Sequence, residues 1–360
     1  MQTQYAMKKI FLTLILTLAA CAPQTPAAPT ALPTLTATPF SPPANAQTES
    51  PLTATPTVSA ADTPYWAYTI EYLRSRPYPH PDDDGQIEIT ATHAELDAFR
   101  RVLIRYPSDG LSITGFMNIP NGEGPFPVVI MLHGYAPPEE YLSVNEDYTL
   151  PAADMFAQNG YLVIHPDMRG FSGNDAAFDN LFQTGLAIDV LNLIALVKAQ
   201  GGQPGPLEKA DPTRIGLWGH SLGGGVALRV ITVSRDVRAA ILYAAMSGDE
   251  RKNSPLMFEL TGDETLYNRE QAVDAQTLEL ISPIHHFDGI TAAVKLYHGT
   301  EDSAVPVAWA VENCDVLKLH LPPERIDCVY YVGGKHTIFS RFQPEFNNSQ
   351  LAFLQKFLAP

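Results

Sequence analysis

From residue 99 onward the chain first alternates apolar and polar positions, then switches to short runs that are apolar throughout. The alternating stretches 99–106 and 111–119 flank Pro107-Ser108-Asp109-Gly110. Aspartate supplies a local hydrogen bond and glycine the positive φ of a tight turn, so these stretches predict an antiparallel hairpin. The wholly apolar runs are 127–132, 161–164, 215–218, 239–243, 294–297 and 328–332. Short, bounded runs of this kind predict strands buried on both faces, as in a parallel sheet covered by helices. Between them, 151–159, 182–199, 221–232 and 305–317 have helical length and spacing. The expected fold is α/β: a doubly wound, mostly parallel sheet with an antiparallel lead-in. Residues 247–291 break the alternation, being polar with one predicted helix around 269–280. An insertion there lies above the carboxyl ends of the strands, where open α/β sheets bind ligands, and is expected to form a small cap.

The first 64 residues differ in kind. Lys8 and Lys9 precede an apolar stretch at 10–20, which ends in Leu18-Ala19-Ala20-Cys21. A membrane span needs about 20 apolar residues, so this shorter stretch reads as a signal peptide. The small residues before Cys21 resemble the bacterial lipobox, in which the cysteine thiol is acylated and becomes the new N-terminus. An ordinary secretory signal with an incidental cysteine is the alternative. Residues 22–64, rich in Pro, Thr, Ala and Ser, bury too little apolar surface to offset chain entropy and are expected to be a disordered tether. The expected organisation is therefore signal peptide 1–21, tether 22–64 and catalytic domain 65–360, exported and lipid-anchored to the cell envelope.

Composition narrows the chemistry. With 45% hydrophobic residues the chain can bury a sizeable core. A formal charge of -16, with no Lys/Arg run interleaved with aromatics, argues against nucleic acid as a partner. The expected partners are a small ester or peptide substrate and the membrane that holds the anchor, with no cofactor and no metal. His285-His286 lacks a third ligand at metal spacing.

Gly219-His220-Ser221-Leu222-Gly223 stands between a predicted strand and a predicted helix. A nucleophilic serine needs that sharp turn to project its oxygen, and the flanking glycines leave room for the strained backbone. Asp302, in His298-Gly299-Thr300-Glu301-Asp302, follows the strand 294–297, and His336, in Gly333-Gly334-Lys335-His336, follows the last strand. The order Ser, acid, His on three strand-end loops is the order this fold imposes on a catalytic triad. Ser221 is the candidate nucleophile, His336 its general base and Asp302 the group that orients the imidazole, with Glu301 as rival acid. The backbone N–H groups of Leu222 and Tyr135, the latter in His133-Gly134-Tyr135 after strand 127–132, are candidate oxyanion donors. A bracing role is expected for His133 and a packing role for His220. Arg169 in Asp167-Met168-Arg169-Gly170 is expected to be structural, satisfying loop carbonyls or Asp167. Cys314 and Cys328 are fourteen positions apart. Either they are bridged, as export permits, or they are buried thiols.

Ser108-Asp109-Gly110-Leu111 with Gly115, Gly124-Pro125-Phe126-Pro127 running into His133-Gly134, Asp167-Met168-Arg169-Gly170, Gly219-His220-Ser221-Leu222-Gly223-Gly224 and His298-Gly299 with Asp302, Val305 and Pro306 together resemble the prolyl oligopeptidase (S9) and dienelactone-hydrolase-like branch of the α/β-hydrolases. The resemblance runs from about residue 99 to the C-terminus. It implies a serine esterase or peptidase working without cofactor through an acyl-enzyme at Ser221. The large oligopeptidases carry a β-propeller before the catalytic domain, and here only about 35 residues separate the tether from the hairpin. Dienelactone hydrolases proper use cysteine where this chain has Ser221. A catalytically silent binding module on the same fold is the competing expectation.

Overall fold

The computed structural model describes residues 63–359, apart from 82, 84, 138–140, 142, 143, 145–148 and 175–179. The expected signal peptide, Cys21 and the tether up to residue 62 lie outside the described residues. The strands are β1 (Glu88–Glu95), β2 (Phe99–Ser108), β3 (Leu111–Pro120), β4 (Phe126–Leu132), β5 (Leu162–Pro166), β6 (Ala210–His220), β7 (Val237–Tyr243), β8 (Ala293–Gly299) and β9 (Ile326–Tyr331). They form one sheet in the order β1-β2-β3-β5-β4-β6-β7-β8-β9. Pairing is antiparallel from β1 through β3 to β5, and parallel from β5 to β9.

The apolar runs sit in the middle of this sheet because both of its faces are covered. On β4, Val128, Ile130 and Leu132 join one core, while Val129 and Met131 join the other. This is the period of two that a pleated strand imposes. Helix α1 (Ile70–Ser75) precedes the sheet; the first core is roofed by α3 (Thr184–Gln200), α4 (Leu222–Val233) and α8 (Val307–His320), and the second by α2 (Leu150–Gln158) and α9 (Phe339–Leu358). Helix α3 is apolar nearly all round because nearly all of it is buried.

Three details depart from the sequence pattern. The hairpin turn has two residues rather than four: Ser108 pairs with Leu111, leaving Asp109 (φ 50°) and Gly110 (φ 76°) at the tip. Positive φ at both positions matches the twist of the flanking strands. Arg76 clamps the Asp109 carboxylate through two hydrogen bonds, and Asp83 accepts from the N–H groups of Asp109 and Gly110. Strand β1 has no alternation to announce it, being almost wholly exposed.

The cap is built of α5 (Glu250–Thr261), α6 (Glu264–Gln271) and α7 (Ala275–Ile281), followed by a 3-10 turn at Pro283–Gly289. It is not one helix around 269–280, because Asp274 begins a new helix there by accepting from Thr277 N. Asp263 caps α6 in the same way, just after Gly262 (φ 68°) closes α5.

Cys314 of α8 and Cys328 of β9 form a disulfide. Closing a loop of this length stabilises the fold by about 3 kcal/mol.

Candidate active site

Ser221 stands between β6 and α4 with φ 55° and ψ -117°, a conformation rare for an L-residue. Such strain costs on the order of 1–3 kcal/mol and persists only where neighbours hold it. Here Ser221 N donates to Tyr243 O (2.9 Å), and Ser221 O accepts from Gly225 N and Met246 N (both 3.1 Å). The glycines are dictated by space. A Cβ at Gly219 would lie 2.2 Å from the Gly223 carbonyl oxygen, and one at Gly223 would lie 2.3 Å from that of Leu132.

Asp302 and His336 come together from the loops after β8 and β9. His336 Nδ1 donates to Asp302 Oδ2 at 2.8 Å, and the Asp302 side chain is fully buried while that of His336 is 24% exposed. Gly299 permits this approach, since a Cβ there would lie 2.3 Å from the Gly334 carbonyl oxygen. The carboxylate against His336 belongs to Asp302; neighbouring Glu301 is exposed.

Sequence reasoning missed the part played by His298. Its Nε2 is 2.9 Å from Val305 O and 3.2 Å from Asp302 Oδ2. A carbonyl only accepts, so Nε2 carries the proton and is shared between both oxygens. Asp302 Oδ1 accepts from Ala304 N and Val305 N. Burial pushes the Asp302 carboxyl up, but hydrogen bonds from His298, His336 and Val305 N–H outweigh it and hold the group well below the usual carboxylate range. The signal available in sequence was the His-x-x-x-Asp spacing at a strand end.

Ser221 and His336 are joined through neighbours. The ring of His220 packs against that of His336 at a tilt of 50° (centroids 4.6 Å apart), and its Nε2 donates to His336 O at 3.1 Å. Tyr243 Oη accepts from Ile338 N, pinning the loop that carries His336. Among the described residues no hydrogen bond joins the Ser221 hydroxyl to His336. Catalytic contacts of this kind are commonly long without substrate and tighten when it binds.

The two candidate oxyanion donors share one cleft. Leu222 and Tyr135 line a cavity of about 570 Å³, together with Phe171, Leu186, Gln183 and residues of α5 and α6. Leu222 N lies in the first turn of α4, where amides lack intrahelical acceptors and the helix dipole favours negative charge. His133 braces the Tyr135 loop, with its ring nitrogens 2.8 Å from Gly134 O and 2.9 Å from Asp167 O. Arg169 is structural, but its partner is Asp189 of α3 (2.7 Å), not Asp167, which accepts from Thr114. Sequence reading could not supply that partner, because Asp189 lies in an otherwise apolar helix that folds back onto the loop.

Residues 149–360 match the prolyl oligopeptidase family. Esterase FrsA of Enterobacter sp. (strain 638) is 27% identical over 206 residues, 53% of this chain and 46% of the relative. The chain spans less than half the length of the curated relatives it matches first. Among solved structures, acetyl xylan esterase 1 from Thermoanaerobacterium sp. superposes with a TM-score of 0.59 at 17% identity, covering 81% of this chain and 98% of that one. Acylaminoacyl peptidase of Pyrococcus horikoshii gives 0.57 at 20% identity, over 73% of this chain and 42% of that one. These likenesses establish the α/β-hydrolase fold.

Proposed function

This chain belongs to the prolyl oligopeptidase family, and from that premise we propose that it is a serine hydrolase that cleaves small carboxylic esters through an acyl-enzyme at Ser221. The observation that carries this reading is the Asp302–His336 pair, its carboxylate buried, set beside the strained serine turn. A serine hydroxyl is a weak nucleophile until a neutral imidazole takes its proton. In the proposed cycle Ser221 Oγ attacks the acyl carbon while His336 Nε2 accepts the hydroxyl proton. Asp302, ionised and acceptor-only, keeps the Nδ1–H tautomer in place and stabilises the imidazolium. The oxyanion of the tetrahedral intermediate is received by the amides of Leu222 and Tyr135. Collapse breaks the bond to the leaving alcohol, which takes the proton from His336. Water then attacks the acyl-enzyme with His336 again as base, releasing the acid and restoring Ser221.

Ester rather than peptide cleavage is favoured by the cover of the site. The cleft is bounded by strand-end loops and the helices α5 and α6, a space suited to a small substrate. The test compares short nitrophenyl esters with aminoacyl and prolyl anilides, using Ser221→Ala as control. Ester turnover that depends on Ser221, with anilides at least a hundredfold slower in kcat/KM, is the expected result. Comparable or faster anilide cleavage would replace the esterase reading with a peptidase.

The same proposal includes export and lipid attachment at Cys21. The Cys314–Cys328 bridge supports it, because such bonds persist in oxidising compartments. Cells expressing the full chain and fed an alkynyl fatty acid should yield labelled protein, and Cys21→Ser should lose the label. Equal labelling of both forms, or of neither, would remove the anchor from the account.

A further inference from the structure

The cleft has one wall held in an unusual conformation. The 3-10 turn Leu181–Gln183 leads into α3, and within it Phe182 (φ 53°, ψ 31°) and Gln183 (φ 51°, ψ 24°) are consecutive non-glycine residues in the left-handed region. L side chains rarely adopt that conformation, and it survives only where the surroundings over-determine it. Here the surroundings are a buried ionic network drawn from the core and the cap. Glu270 Oε1 of α6 accepts from Phe182 N (2.7 Å), and Arg229 Nη2 of α4 donates to Phe182 O (3.2 Å). The same guanidinium donates to Glu250 Oε1 of α5 (2.5 Å) and to Ile281 O (2.9 Å).

What this scaffold fixes is the place of Gln183. The residue is only 8% exposed and lines the cleft together with Leu222 of α4. Its side-chain amide makes no hydrogen bond with any described residue. A carboxamide held at the cleft wall without an intramolecular partner offers a ligand two donors and an acceptor, and leaving them unmet beside a dry ligand is unfavourable.

We propose that Gln183 is a specificity-determining residue whose carboxamide hydrogen-bonds a heteroatom in the acyl chain of the substrate, so that acyl groups carrying an ether, hydroxyl or amide are preferred over plain alkyl chains of equal length. The acyl side is assigned because Gln183 lines the cleft together with Leu222, the residue next to the serine that would carry the acyl group. This inference rests on the hydrolase reading above and adds a substrate class to it.

The test uses matched 4-nitrophenyl esters that differ by oxygen for methylene: methoxyacetate against butyrate, 3-methoxypropanoate against pentanoate, and 4-methoxybutanoate against hexanoate. Gln183→Met keeps the length and removes the polar group. It should lower kcat/KM for at least one oxa ester about tenfold more than for its alkyl partner, the loss of roughly one hydrogen bond. Gln183→Asn separates function from packing, since asparagine tolerates positive φ better but is one methylene shorter. It should raise the melting temperature by about 2 °C while losing the same preference. Equal factors on both members of every pair, in variants that melt normally, would overturn the proposal. No turnover of any ester by the wild-type chain would instead overturn the hydrolase reading on which it stands.

Discussion

Replacing Ser221 by alanine is expected to lower kcat for a nitrophenyl ester by roughly 10⁴- to 10⁶-fold while the variant folds normally. The size of the effect follows from covalent catalysis. Without the hydroxyl no acyl-enzyme forms, and only binding and the oxyanion amides remain to assist attack by water. Stability should hold or rise, because alanine removes no buried hydrogen bond of the hydroxyl and the strained φ of 55° stays pinned by Tyr243, Gly225 and Met246. Since the nucleophile and its base act as a unit, Ser221→Ala combined with His336→Ala should cost no more than either change alone. Steady-state kinetics on the single and double variants measure this. Multiplicative losses would show that the two residues do not share a step.

Asp302→Asn is expected to lower kcat about 10⁴-fold with little change in KM, since Asp302 reaches the substrate only through His336. An amide in its place can present N–H to Nδ1 and so stabilise the imidazole tautomer that cannot accept the Ser221 proton. The substitution also predicts a pH-dependent stability change. The folded-state carboxyl titrates below its ordinary value of 3.8, so its ionised form stabilises the fold above that value. This contribution is lost as pH falls through the lower, folded-state value. The asparagine variant should therefore be less stable than wild type at pH 7, with the gap narrowing below about pH 4. Urea unfolding at the two pH values tests the sign, and a gap that widens in acid would contradict the role given to Asp302. A variant retaining a tenth of wild-type kcat would contradict its place in the triad.

Much of this arrangement was legible because strand-end loops carry it. Ser221, Asp302 and His336 each follow an apolar run, and a run buried on both faces is the plainest pattern that a sequence holds. The order of the three residues then needed only the rule of the fold. His298 was overlooked because in sequence it only marks where the apolar run 294–297 ends, and its contact with Asp302 depends on the loop turning back through Val305. The partners of Arg229 and Arg169 were out of reach for the same reason. Glu250 and Asp189 lie on helices whose packing brings together positions far apart in the chain. The cap was visible as an interruption, but its helices are short and mostly polar, and only the capping aspartates Asp249, Asp263 and Asp274 mark where they begin. Nothing local in the sequence marks Gln183, since its conformation is imposed by Glu270 and Arg229 from outside the segment.

The most direct test of the central claim is covalent labelling of the folded protein with a fluorophosphonate, followed by mass spectrometry of its peptides. A single adduct on Ser221, absent after acid unfolding and much slower to form in His336→Ala, is the predicted result. Failure of the folded protein to react, or an adduct on another residue with Ser221 untouched, would contradict the assignment of Ser221 as the nucleophile.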